Sequence, residues 1–194
     1  MKTVFLMGDS IRMGYDRYVR GVLAGEAVVY YPSENCRFAQ YVLRYAHEWI
    51  EKECNPACVD VVHWNAGLWD VSRLYGEEPL LPIAQYANFL ERIAARIFRV
   101  CPNARQIFAL TTPVVEEQFM HPEQFMRLNK DIEAYNYAAC NVMERLGVVV
   151  NDLYSAAKAL PKSAWSDSTH LYTPLGTHAL GDAVAQAIRN QWAR

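Results

Sequence analysis

Apolar residues along this chain fall into two rhythms that alternate. Contiguous apolar runs occur at residues 3–7 (TVFLM), 27–31 (AVVYY), 59–64 (VDVVHW), 105–110 (RQIFAL) and 147–151 (GVVVN). Short runs of this kind, without strict in-out alternation, are the pattern of strands buried on both faces. Between them the apolar positions recur at helical steps. Tyr15, Tyr18, Val19, Val22 and Leu23 form one stripe, which Gly25 is placed to close, and Phe38, Tyr41, Val42, Tyr45 and Trp49 form a second. Ile83, Tyr86, Leu90, Ile93 and Ile97 give a third, and Phe125, Leu128, Ile132, Tyr135, Ala139 and Met143 a fourth. A last helix starts at Thr173-Pro174, where threonine can cap and proline suits the first turn, and runs through Leu180, Val184 and Ile188.

Strand followed by helix, repeated five times, predicts an α/β fold: a five-stranded parallel sheet covered by helices on both faces, with right-handed crossovers. The length of 194 residues suits one domain spanning 1–194, and no repeat, low-complexity tract or linker divides it. In such a sheet, ligands bind beyond the carboxyl ends of the strands, near the switch in strand order.

Charge and cysteine content narrow the function. A formal net charge of -2 and the lack of any long Lys/Arg run leave no electrostatic footprint for nucleic acid or an anionic membrane. No stretch approaches transmembrane length, and the apolar run at residues 3–7 is too short for a signal-peptide core, so a soluble, cytoplasmic protein is expected. Cys36, Cys54, Cys58, Cys101 and Cys140 are an odd, scattered set in a chain long enough to need no staples, which favours reduced thiols. Cys54-Asn-Pro-Ala-Cys58 has no second pair and no nearby histidine pair, so no metal is expected.

The predicted strand ends carry the chemistry. The first delivers Gly8-Asp9-Ser10, the third Asn65-Ala66-Gly67, and the segment after the fifth Asp167-Ser168-Thr169-His170. Each group alone reads as a turn or a cap. Together, on one rim, they are the parts of an activated hydroxyl nucleophile: a serine, a base to take its proton, and a carboxylate to fix the base's tautomer. Ser10, at a helix start, would also offer its own N–H to a developing negative charge, and Asn65 a side-chain amide.

These residues resemble the SGNH (GDSL-like) hydrolases, esterases and lipases with a flavodoxin-like three-layer α/β/α fold. Gly8-Asp9-Ser10 is similar to the family's first block, which carries the nucleophile, and Asp167-Ser-Thr-His170 to its last, which carries acid and base. The stretch from His63 to Asp70 is similar to the third block, whose Asn donates to the oxyanion, but His63 stands where the family has Gly, and Ala66 follows Asn65. The second block usually supplies a Gly N–H, whereas Pro32-Ser33-Glu34-Asn35-Cys36-Arg37 contains no glycine; Cys36 or Arg37 would supply that donor. The resemblance implies catalysis by Ser10, His170 and Asp167, an oxyanion site from Ser10, Asn65 and Cys36 or Arg37, and no cofactor.

Around these blocks, Trp64, Trp69, Trp165 and Tyr172 are candidates for a substrate pocket, since aromatics there can stack on a sugar face or line an acyl pocket. Residues 68–82 and 113–123 are the longest stretches without periodicity and are expected to form its walls. Cys36 is either a buried core thiol or part of a Cys/His nucleophile pair, and Arg12 and Arg37 either solvated or contacts to an acidic substrate. His47, His121 and His178 lack ligand spacing and read as surface or capping residues. The expected activity is hydrolysis of a small-molecule acyl ester, most simply acetyl on a carbohydrate or other small hydroxyl compound. A lysophospholipase or thioesterase uses the same chemistry; an inactive small-ligand or protein-binding module on the same fold is the alternative from another class.

Overall fold

Five parallel strands form the central sheet in a computed structural model that describes residues 1–192. They are β1 (Lys2–Met7), β2 (Ala27–Tyr30), β3 (Val61–Trp64), β5 (Arg105–Ala109) and β7 (Val149–Asn151), in the order β2-β1-β3-β5-β7. Two further strands, β4 (Arg73–Leu74) and β6 (Phe125–Met126), pair antiparallel as a separate ribbon. The chain steps from β1 out to β2 and then back across β1 to β3, so the switch in strand order lies between β1 and β3. Asn65 follows β3 directly, and Ser10 follows β1 after Gly8 and Asp9. The expected α/β/α architecture with a flavodoxin-like parallel sheet is thus the observed one.

Contiguous apolar runs became central strands because helices cover both faces of the sheet. Val4, Phe5, Leu6 and Met7 of β1 and Val61, Val62 and Trp64 of β3 are all buried. Each such side chain contributes on the order of 1.5–3 kcal/mol. Helices α1 (Ser10–Val22) and α6 (Pro174–Trp192) pack together, as do α2 (Ala39–Glu53) with α3 (Ile83–Val100) and α3 with α4 (Asn129–Leu146). A short helix, α5 (Leu153–Lys158), packs on α6 and was not foreseen from periodicity. Helix α1 ends at a Leu23 cap, two residues before the left-handed Gly25.

One predicted stripe ran too far. Phe125 lies in β6 and Leu128 is the cap before α4, so the helix begins at Asn129. The ribbon β4–β6 ties the first of the two expected pocket walls, 68–82, to the chain just beyond the second, 113–123. His63 points into the buried layer, where its Nε2 meets Asn151 Nδ2 at 3.2 Å and Tyr15 meets it edge-on. Burial pushes its pKa down to about 3, so it sits there as a neutral ring.

Asp70 sits on the helix side of the same rim. Phe38, at the cap position of α2, has no side chain to offer the helix, and Asp70 does the capping across space: both its oxygens accept from Ala39 N, at 3.0 and 3.2 Å. Burial pushes the Asp70 carboxyl up to about 7; the N–H groups of Ala39, Asp70 and Gly67 oppose this, and nearby Asp9 adds to it. A carboxyl raised above its unfolded value holds extra protons in the native state, so its charge-dependent contribution falls as pH rises from about 4 to about 7. Asp70→Asn keeps an acceptor for Ala39 without the charge. Denaturant unfolding of both proteins across that range is expected to show the variant gaining on the wild type as pH rises; parallel stability profiles would contradict it.

Candidate active site

Strand β1 hands the chain to α1 through Gly8 and Asp9. Asp9 caps the helix, its Oδ1 accepting from Ile11 N at 3.0 Å, and this turn sets Ser10 at the first helical position. Burial raises the Asp9 carboxyl, against the opposing pull of the Asn65 amide, the Ile11 N–H, Arg127 and Arg12. Gly8 has a steric reason: a Cβ there would lie 1.8 Å from Asn65 Oδ1. Asn65 continues the β1–β3 ladder, its N–H donating to Met7 O at 3.0 Å, so the Asn side chain stands directly over the glycine.

The loop after α5 folds back to meet Ser10. His170 Nε2 lies 2.9 Å from Ser10 Oγ, and His170 Nδ1 lies 2.9 and 3.0 Å from the two oxygens of Asp167. A carboxylate only accepts, so Nδ1 carries the proton and Nε2 is left to accept from the Ser10 hydroxyl. Burial by itself would raise Asp167, but the Thr169 N–H, the His170 imidazole and the His170 N–H outweigh it and hold the carboxyl below the usual range. The spacing of three lets one oxygen, Oδ1, take both backbone N–H groups, at 2.7 and 2.8 Å, while the ring closes on the carboxylate.

Tyr172 completes this corner. It stacks on the His170 ring with centroids 4.6 Å apart and planes at 28°, and its hydroxyl donates to Ser10 O at 2.7 Å. Its ring lies over Gly14, where a Cβ would come within 2.6 Å of it. Tyr172 therefore braces His170 rather than simply lining a pocket.

None of the other three aromatics borders the groove at His170. Trp64 is fully buried against Phe108 in the core. Trp69 lines a cavity of about 240 Å³ with Phe38, Leu80 and Leu81, and Trp165 lines a cleft with Tyr154 and Leu160. The groove that does touch His170 and Asp167 is bordered instead by residues of the 113–127 segment.

Both second-block N–H groups are engaged within the protein. Cys36 N donates to Gly8 O at 3.1 Å, and Arg37 N to Asn35 Oδ1 at 2.8 Å, with Arg37 in the left-handed region at φ 51. They tie the loop down rather than face an incoming oxygen. Ser10 N has no acceptor among the described residues, which leaves it, and the second hydrogen of the Asn65 amide beside Asp9, as open donors. The Cys36 thiol is buried and pushed up to about 12 by that burial, so it stays protonated and unsuited to act as a nucleophile.

Two buried arginines escaped sequence reasoning. Arg12, read as solvated or substrate-facing, is 1% exposed. It pairs with Asp16 at 2.5 Å and donates to Glu34 O at 2.6 Å and Gly8 O at 3.4 Å, fastening the first loop to the second. Arg127 donates to Leu68 O, Ser72 Oγ and Thr169 Oγ1, fastening the third loop to the last. Burial pulls its pKa down to about 10, while Asp9 and Asp167 work to keep it charged.

No family model and no curated protein matches the sequence. Solved structures do match over nearly its whole length. A lipase/acylhydrolase from Enterococcus faecalis aligns with TM-score 0.73 at 20% identity, covering 98% of this chain and 97% of its own. An acetyl xylan esterase aligns with TM-score 0.74 at 16% identity, covering 96% and 99%. A GDSL-like lipase from Bacteroides thetaiotaomicron aligns with TM-score 0.74 at 17% identity, covering 97% and 88%. In sheet order, in the rim that gathers its blocks and in these likenesses, the chain has the fold of the SGNH (GDSL-like) hydrolases.

Proposed function

We propose that this protein is a serine esterase that removes a short acyl group, acetyl above all, from a carbohydrate or another small hydroxyl compound. The observation that carries the reading is the hydrogen-bonded line from Ser10 Oγ through His170 to Asp167. The acetyl xylan esterase and the acylhydrolase of like fold support it.

In this reading Ser10 Oγ attacks the ester carbonyl while its proton passes to His170 Nε2. The new Oγ–C bond forces the carbonyl electron pair onto oxygen, where Ser10 N–H and the Asn65 amide receive it. Collapse breaks the C–O bond to the alcohol, and that oxygen takes the proton back from Nε2. Water then repeats the two steps on the acyl-enzyme, its proton going first to Nε2 and then to Ser10 Oγ, and releases the acid. Asp167, kept ionised by the N–H groups around it, stabilises the imidazolium at both stages. The stacked Tyr172 holds the ring in line with Ser10 throughout.

Ser10→Ala is expected to lower kcat for p-nitrophenyl acetate by about 10⁴-fold or more while leaving the melting temperature near that of the wild type. Near-normal turnover would sink the assignment. Tyr172→Ala, which frees the imidazole, is expected to cost about 10- to 100-fold in kcat with KM little changed. Tyr172→Phe keeps the stacked ring and should recover most of that loss; equal losses in both variants, or a change confined to KM, would place the residue's contribution elsewhere.

A further inference from the structure

An open groove of about 540 Å³ begins at His170 and Asp167 and runs under the segment between β5 and α4. Its volume lies within the ~300–1,000 Å³ of small-molecule sites. Phe119, Met120 and Phe125 supply apolar surface; Gln118, His121 and Gln124 supply donors and acceptors. The two rings are 5.9 Å apart and inclined at 58°, and the Arg127 guanidinium lies 4.8 Å from the Phe125 centroid. This wall is anchored. The Asn129 side chain bridges Val114 N and Val114 O, both at 2.9 Å, Val115 N donates to Ser168 O at 2.8 Å, and Tyr75 N reaches across the ribbon to Gln124 O at 3.0 Å.

We propose that this groove is the subsite for the departing alcohol and that its occupant is a sugar ring; the proposal rests on the serine-esterase reading. Direction of proton flow assigns the side. When the tetrahedral adduct collapses, the alcohol oxygen must take its proton from His170 Nε2, so the alcohol lies against His170 and extends into the space that begins there. The carbonyl oxygen then points toward Asn65, and the acyl chain leaves Ser10 on the side away from this groove. The lining assigns the chemistry. A sugar has apolar C–H faces for Phe119 and Phe125 and hydroxyls for Gln118, Gln124 and His121. An alkyl chain would satisfy the rings but strip water from the amides and the imidazole without replacing its hydrogen bonds.

Two crossed ester series test this. One fixes acetyl and varies the alcohol through ethyl acetate, p-nitrophenyl acetate and 6-O-acetyl methyl β-glucopyranoside; the other fixes p-nitrophenol and lengthens the acyl chain from acetyl to butyryl and octanoyl. The wild type is expected to favour the acetylated glucoside over ethyl acetate in kcat/KM. Phe119→Ala and Gln124→Ala, checked for wild-type melting, should each raise KM for the glucoside about tenfold, the scale of one lost stacking or hydrogen-bonding contact, without reordering the acyl series. Variants that reorder the acyl series instead, or a wild type indifferent to the sugar, would overturn the subsite while Ser10-dependent p-nitrophenyl acetate hydrolysis left the esterase reading standing. Absence of Ser10-dependent hydrolysis of every ester would overturn both.

Discussion

The rest of the site depends on the close passage of Asn65 over Gly8, the tightest approach at any glycine of the described residues. Strands β1 and β3 run side by side to their carboxyl ends, and the ladder continues one residue beyond β3 through Asn65 N and Met7 O. That contact leaves no room for a Cβ at residue 8: the Asn65 oxygen occupies its place. Because Gly8 yields, the Asn65 amide and the N-terminus of α1 share one small volume, and Ser10 enters it at the first helical position. The parallel sheet thus fixes Ser10 and the Asn65 amide, the proposed nucleophile and the proposed donor to its charged intermediate, by main-chain geometry, before any side-chain network is considered.

That volume is then held by buried charge. Arg12 ties the first loop to the second, and Arg127 ties the third to the last; each spends most of its guanidinium on backbone or hydroxyl oxygens rather than on a carboxylate facing solvent. Buried arginines held in this way are worth more as positioning devices than as ion pairs, since desolvation offsets much of the Coulombic gain. Asp9 and Asp70, both buried, sit on helix N-termini, where N–H groups and the helix dipole favour the negative charge that burial disfavours. His170 and Asp167 are left at the more exposed edge, open to solvent.

The sheet and the two outermost blocks were legible because their signals are local. A contiguous apolar run, a Gly-Asp-Ser directly after it, and an Asp three residues before a His each state their geometry within one turn. Contacts that reach far along the chain were not legible. Arg127 meets Leu68, Ser72 and Thr169, residues 42 to 59 positions away, and nothing in its neighbourhood marks it as buried. The two-residue strands β4 and β6 are too short to carry a period, so Phe125, four residues before the start of α4, was absorbed into the helical stripe. Aromatic residues near a block were read as pocket lining because proximity in sequence cannot say which face a ring takes: Trp64 turned into the core and Tyr172 onto the histidine, while the groove drew on Phe119 and Phe125 instead.

The central claim is that Ser10 is an activated nucleophile, and its reactivity can be read without knowing the substrate. Treatment of the folded protein with a fluorophosphonate probe, followed by peptide mapping by mass spectrometry, is expected to place one adduct on the tryptic peptide that holds Ser10, with labelling abolished in His170→Ala. A folded protein that stays unlabelled, or is labelled at another residue, would contradict the account.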